Sequence, residues 1–276
     1  MTLPSAQYFS NAIVGQMQVG ADVNLYRQDT APKYAVGQGF TRGDGNEYRY
    51  ASFGAAVTQG KLVAPTFADS GKSTQDNKII LPASAVQVAA EAPIYPGQIG
   101  SHYVQVTLAS ITAGQFQGGY FITEDGTGEG YTYRIRGNTA TGNPATGDIY
   151  LQLWEPLEAL VGPNTDIQII PSMYNSLSVA SAATDFAPCG ATVVSMASGE
   201  FGWICTHGVH AVLEDITVGT LSSGDQVALS TAVSGAIVPY GQGTTDVTAL
   251  TTAPIVGYCI QTAADTEYAA IYLQLE

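Results

Sequence analysis

TLASITAGQFQGGYFIT, from Thr107 to Thr123, aligns with TVVSMASGEFGWICT, from Thr192 to Thr206, after a short gap in the second stretch. Gly, Phe, Gly and an aromatic residue recur in order, and Gly130 and Gly208 hold similar places downstream. GDIYLQL from Gly147 then matches GDQVALS from Gly224 at nearly the same offset. Self-similarity on this scale marks repeated supersecondary units. In each copy Gly-Asp supplies the positive φ of a tight turn, and the alternating run after it packs one face. The repeat therefore predicts two copies of one small antiparallel β-barrel or sandwich module. GKLVAPT from Gly60 is a weaker echo of the same turn-then-strand unit.

Period-two alternation surrounds these stretches. Val104, Val106 and Leu108 oppose Tyr103, Gln105 and Thr107; Tyr131, Tyr133 and Ile135 oppose Thr132, Arg134 and Arg136; Ile149, Leu151 and Leu153 form a third apolar row. In the last third, Val209, Ala211 and Leu213, then Val227 and Leu229, then Ile271, Leu273 and Leu275 read as inward faces. RGDGN, from Arg42, predicts a turn before Tyr48 and Tyr50, whose strand is expected to form an antiparallel ribbon with Lys61–Ala64. Helical capacity is confined to Ala83–Ala92, fenced by Pro82 and Pro93, where Val86-Gln87-Val88 reads equally well as a short strand.

The expectation is an all-β chain of tandem small antiparallel barrel or sandwich modules with little helix. Its segments are an extended N-terminal arm over 1–33, polar and irregular enough to order on a neighbouring subunit, and an N-terminal β segment over 34–100. The two module copies then span 101–185 and 186–276.

Composition fits that class. The 31 Gly and 16 Tyr with only 12% charged residues describe short strands, tight turns and a surface of Thr, Ser, Gln and Asn. A formal net charge of -14 repels phosphate backbones and anionic headgroups, so neither nucleic acid nor a membrane surface is an expected partner. Three cysteines (Cys189, Cys205 and Cys259) cannot all pair within one chain and lie in strand-like apolar stretches. They are expected to stay reduced in a chain made in a cytoplasm. MTLPSAQYFSNAIVGQ lacks the basic and apolar regions of a signal peptide, and no apolar run has the length of a membrane span.

Each chemical motif meets a simpler account. Cys205-Thr206-His207-Gly208-Val209-His210 carries zinc-type ligands, but in a regular strand Cys205 and His207 share a face while His210 takes the other, and a second Cys pair is missing. The acidic strings Asp44–Glu47 and Glu124–Glu129 lack EF-hand spacing and read as hairpin turns. Gly126, Gly128 and Gly130 are followed by no Lys-Ser/Thr and no helix pattern, which excludes a phosphate loop. His102, His207 and His210 are the near-neutral bases, with no Gly-x-Ser-x-Gly elbow; carboxylate pairs such as Glu129 and Asp148 are no more than any acidic β protein offers. Arg42-Gly43-Asp44 reads as part of the turn rather than as an integrin-type ligand. Tyr120, Tyr131, Tyr133, Trp154 and Trp203 suit a sugar platform less well than a core or an interface.

No catalytic residue, cofactor or metal site is expected. The candidate interface or structural residues are Tyr8, Phe9, Phe116, Tyr120, Trp154, Phe201, Trp203 and Tyr258, and the expected turn glycines are Gly130, Gly147, Gly208 and Gly224.

VGQGFTRGDGNEYRYASFGAAVTQGKLV, GEFGWICTHGVHAVLEDITVGTLSSGDQVALS and PIVGYCIQTAADTEYAAIYLQL together resemble tailed-phage capsid decoration (cement) proteins over most of residues 36–276. The likeness rests on Phe201-Gly202-Trp203, Gly208, Gly224-Asp225, Val256-Gly257-Tyr258 and Ile271-Tyr272-Leu273. It implies β-barrel-like modules, a homotrimer, and a place on the outer surface of the virion where major capsid subunits meet. It also implies an adhesive, non-enzymatic role without cofactors. The competing readings are a tail or head-fibre component that binds a host glycan and, further away, a carbohydrate-active enzyme.

Overall fold

The computed structural model describes residues 23–65, 97–108, 111–141, 148–162, 165–181, 188–217, 219–241 and 254–276. Among them there is no helix. The strands are β1 (Gly39–Thr41), β2 (Glu47–Ser52), β3 (Leu62–Pro65), β4 (Tyr103–Thr107), β5 (Tyr120–Asp125), β6 (Thr132–Asn138), β7 (Asp148–Leu153) and β8 (Asp166–Ile170), followed by β9 (Leu177–Val179), β10 (Gly190–Thr192), β11 (Phe201–Leu213), β12 (Gln226–Leu229), β13 (Ile237–Pro239), β14 (Ile255–Gln261) and β15 (Tyr268–Gln274). The protein is all-β, as its alternation and turn chemistry predict.

The chain forms two compact units, Met1–Thr66 with Met173–Glu276, and Phe67–Ser172. The first holds a 10-stranded sheet in the order β13-β12-β14-β15-β11-β10-β3-β9, with β2 also on β11 and β1 on β2. Every strand pair in it is antiparallel. Leu62, Trp203, Val227, Ile237, Val256 and Ile271 come from strands spread along this sheet yet share one core. Such sharing requires the sheet to curl around them. Where β2, β3, β10 and β11 meet, the opposite face is also covered, by Ala51, Phe53, Val57, Val63, Leu177, Cys189, Met196 and Ile204.

The other unit is a 5-stranded sheet in the order β4-β7-β6-β5-β8. Its core takes Val104 and Val106, Phe121, Tyr133 and Ile135, Ile149, Leu151 and Leu153, and Ile167 and Ile169, the alternate residues of all its strands. Phe116 is fully buried there from the loop before β5, its N–H donating to Asn138 Oδ1 at 2.8 Å.

The units cut the chain at other places than the sequence segments. β3 and β9 are direct neighbours, with Pro65 paired to Leu177, so the chain leaves the large sheet and returns beside its point of departure. The stretch expected as a separate N-terminal β segment therefore supplies β1–β3 to the same sheet as β10–β15. β2 and β3 form no ribbon together: β2 pairs with β1 and β11, and β3 with β9 and β10. The connection between them is instead held by bridges from Phe53 to Leu177 and from Val57 to Met196.

The aligned stretches also enter different pairings. Tyr120–Asp125 lies between β6 and β8, whereas Phe201–Leu213 is bordered by β2, β10 and β15. From Val23 onward the expected arm packs on its own unit. Leu25 joins the large core, and Asp29 exchanges backbone hydrogen bonds with Phe201 at 2.8 and 2.9 Å. Buried Asp29 also meets Arg27 at 2.9 Å and Lys33 at 3.2 Å and accepts from the Tyr50 hydroxyl at 3.0 Å. Tyr8, Phe9, Gly147 and the Ala83–Ala92 stretch lie outside the described residues.

Candidate docking face

β11 is the spine of the large sheet, and a bulge sets which of its side chains point outward. The register against β2 shifts between Cys205 and His207, leaving Thr206 as the extra residue. Trp203 and Cys205 face the core before the bulge; after it Gly208, Val212 and, as expected, Leu213 are buried, and Val209 and Ala211 are exposed. The inward face expected from Val209 and Ala211 is thus reversed, because one inserted residue inverts the alternation. Gly208 is no turn glycine either. It sits inside β11 at φ 97°, at the bulge. A Cβ there would lie 2.1 Å from Asn46 Oδ1. Gly130 (φ 84°) and Gly224 (φ 94°) do occupy turns.

Three adjacent strands, β11, β15 and β14, present one outward surface. Val209 pairs with Tyr272, and Tyr272 with Tyr258, so the three residues form a row across the strands. The rings of Tyr258 and Tyr272 stack at 5.1 Å and 11°. His207 meets Tyr272 edge-on, its Nε2 lying 3.1 Å from the Tyr272 hydroxyl. The next row pairs Ala211 with Ala270. Val209 is 48% exposed and Tyr258 37%, with Ile255, Ile260 and Tyr268 exposed on the same strands. None of the three strands contains Asp, Glu, Lys or Arg, although the chain carries a net charge of -14.

Two features hold this surface in register. A Cβ on Gly257 would lie 2.0 Å from the Tyr272 carbonyl oxygen, so β14 approaches β15 as closely as it does only with glycine there. Beside the bulge, Asn46 Oδ1 accepts the Val209 N–H at 3.0 Å and Asn46 Nδ2 donates to the Val209 carbonyl at 3.1 Å.

The motifs with chemical potential are dispersed. Cys205 is buried in the core, its thiol pushed up to about 12 by burial, while the bulge turns His207 outward to Tyr272. His210 is half-buried, and because a carbonyl only accepts, its Nε2 carries the proton it donates to Thr192 O at 3.1 Å. Burial lowers the His210 pKa. Among the described residues no group of His, Cys, Asp and Glu is placed to hold a metal ion. All three cysteines are free and buried; Cys189 is likewise pushed up to about 12, and Cys259 is raised, in each case by burial.

The remaining candidates separate cleanly. Trp203 (2% exposed) and Phe116 are core residues, and half-buried Phe201 packs against the large core. Tyr34 and Tyr50, both at 5.3 Å, and Phe40 at 5.8 Å surround the Trp203 ring at spacings typical of aromatic clusters. Tyr258, Tyr120 and Trp154 are exposed. Of the five aromatics weighed as a sugar platform, Tyr133 and Trp203 are buried in different cores. The Arg42–Asp44 string forms the β1–β2 turn, closed by an ion pair at 3.4 Å. No helix among the described residues is long and apolar enough to cross a membrane. No protein-family profile, curated protein or solved structure matches the chain.

Proposed function

We propose that this chain is a capsid decoration protein of a tailed phage, a homo-oligomer that binds the outer surface of the head and bridges adjacent major capsid subunits. The reading requires neither turnover nor a cofactor. The observation that carries it is the uncharged outward face of β11, β15 and β14. Contiguous uncharged surface marks a place where another protein sits, and sheet faces with Tyr rows offer rigid contact area at low entropy cost. Acidity supports the same reading, since an external adhesive gains from being repelled by packaged nucleic acid. The sequence likeness in Gly208, Gly257-Tyr258 and Tyr272 falls on the residues that shape this face.

In this reading the protein is made in the host cytoplasm, trimerises, and joins the shell, so that outward pressure must break its contacts as well as those of the shell. The test is co-sedimentation of the purified chain with expanded shells, together with antibody labelling of mature particles. Binding over the whole head, lost when Val209 and Tyr258 are replaced by Asp, is the expected result. Label confined to the tail, with shells left bare, assigns the chain to a tail or fibre instead.

A further inference from the structure

The second sheet carries a surface of the opposite character. Tyr120 pairs with Ile170 on one side and with Arg134 on the other, giving an outward row Ile170–Tyr120–Arg134 across β8, β5 and β6. Ile170 and Tyr120 are exposed, as is Arg134, which alternates with buried Tyr133 and Ile135. Beyond it Arg136 holds its guanidinium 5.0 Å above the ring of Trp154, the most exposed tryptophan at 55%.

Arg27, Lys33, Arg42 and Arg49 are ion-paired. The side chains of Arg134 and Arg136, like that of Lys61, make no ion pair among the described residues, although the Glu155 carboxylate accepts the Arg134 backbone N–H at 3.2 Å. Two unpaired guanidiniums beside exposed Trp and Tyr, in a chain of net charge -14, form a docking surface for carboxylates. A guanidinium stacked on indole keeps its edge N–H groups free for bidentate bonds.

The same hairpin supplies the complement. Glu124, Asp125 and Glu129 are all exposed at the β5–β6 turn. At about 3.3 Å per residue, Asp125 lies roughly 16 Å along the strand from Tyr120, and Arg136 lies beyond Tyr120 in the opposite direction. Within one copy the tip therefore cannot reach the patch. Between copies it can.

We propose that the Arg134–Arg136–Trp154–Tyr120 surface docks the Glu124–Glu129 hairpin tip of a second copy of this chain. Such a contact joins two different patches, head to tail, and so closes into a ring or continues as a chain. It deepens the homo-oligomer reading above by naming the surfaces that would make it.

The test is charge exchange, read by sedimentation of the full chain at low and high salt, with near-UV circular dichroism confirming the fold of each variant. R134E/R136E and E124K/D125K/E129K are each expected to weaken self-association by ~10-fold or more, and mixing the two reversed variants restores association between unlike copies, which is two of the three contacts of a trimer. Salt weakens the wild-type assembly in the same sense. Trp154→Ala, which leaves all charges in place, also weakens it. Equal assembly of R134E/R136E and wild type overturns the proposal, as does a monomeric wild type at micromolar concentration. Loss of shell binding by R134E/R136E with self-association intact gives the patch to an acidic surface of the shell and also overturns it. A variant that is monomeric yet binds shells leaves the decoration reading standing, whereas wild-type protein that assembles but never binds shells removes that reading alone.

Discussion

Asn46 makes both backbone hydrogen bonds of Val209 with a single carboxamide, accepting its N–H at 3.0 Å and donating to its carbonyl at 3.1 Å. The side chain takes the place that strand β2 vacates as it turns into the β1–β2 hairpin, and Gly208 leaves the room it needs. Asn46→Ala removes two bonds at a partly exposed edge and is expected to cost about 1–2 kcal/mol. Gly208→Ala adds strain at φ 97° and displaces the carboxamide, for about 2–4 kcal/mol. Since the alanine methyl already expels Asn46, the double variant should be less destabilised than the sum by ~1 kcal/mol. Urea titration of the four proteins measures this, and strict additivity would falsify the account.

His210 predicts how stability depends on pH. Burial lowers its folded pKa below the ordinary 6.5, so the unfolded chain takes up a proton first as pH falls. The stabilisation is complete above pH 6.5 and is lost as pH falls through the folded value, with a limiting slope of about 1.4 kcal/mol per unit. His210→Gln should flatten the curve just below pH 6.5. Asp215 is held below its ordinary 3.8 by hydrogen bonds from Ser230 and Thr217 that outweigh its burial, so its contribution disappears only in more acid solution. An unchanged slope in His210→Gln just below pH 6.5 defeats the assignment.

What the sequence made legible here is what local chemistry decides. Alternation placed Val104 and Val106, Ile149 to Leu153, Val227 and Leu229, and Ile271 and Leu273 in the cores correctly, and the Asp44-Gly45 turn forms the hairpin its residues prescribe. The large sheet was not legible in the same way, because residues 47–52 pair with 201–207 and nothing in either stretch names the other. Phase failed at Thr206, since an inserted residue changes no composition yet turns Val209 and Ala211 outward, although Leu213 at the strand end is buried as expected. Gly208 was the available signal: glycine inside an otherwise regular strand pattern points to a bulge or a close approach, and Gly257 carries the same message. The candidate docking face became visible only once that phase was corrected, because it is built from Val209 and Ala211, which alternation had assigned to the interior.

The cysteines should be silent in the native chain. Cys189 and Cys205 are pushed up to about 12 and Cys259 is raised, all by burial, so thiolate is scarce at neutral pH and access is closed. A chromogenic disulfide reagent at pH 7.5 is expected to find no fast-reacting thiol in folded protein and three after denaturation. Rapid native reaction at any one of them contradicts the described packing.

Fold and docking separate on β14. Tyr258→Ser alters an exposed ring and should shift stability by about 1 kcal/mol or less, while weakening shell binding by ~10-fold. Gly257→Ala, one residue away, drives a methyl into the Tyr272 carbonyl and should cost about 3 kcal/mol or more. Thermal unfolding and shell co-sedimentation on the same two variants read both quantities. Were Tyr258→Ser to bind shells as wild type does, the face formed by Val209, Tyr272 and Tyr258 would not be the docking surface.

The discontinuous unit makes the boldest structural prediction. Pro65 at the end of β3 and Leu177 at the start of β9 are cross-strand partners, and their Cα atoms are therefore about 5 Å apart. Such neighbours can be joined by a short flexible turn. Residues 173–176 must be kept, because Tyr174 donates to Glu276 and Ser176 N–H bonds Ser52 Oγ at 2.8 Å. Replacing Phe67–Ser172 by about six Gly and Ser residues should give a chain that unfolds cooperatively with the β signature of the 10-stranded sheet. That chain should keep the Tyr258–Tyr272 face and lose the Arg134–Trp154 patch, so it separates shell binding from self-association in one protein. Failure of the shortened chain to fold, where full-length protein folds under the same conditions, would show that the large sheet depends on the inserted unit.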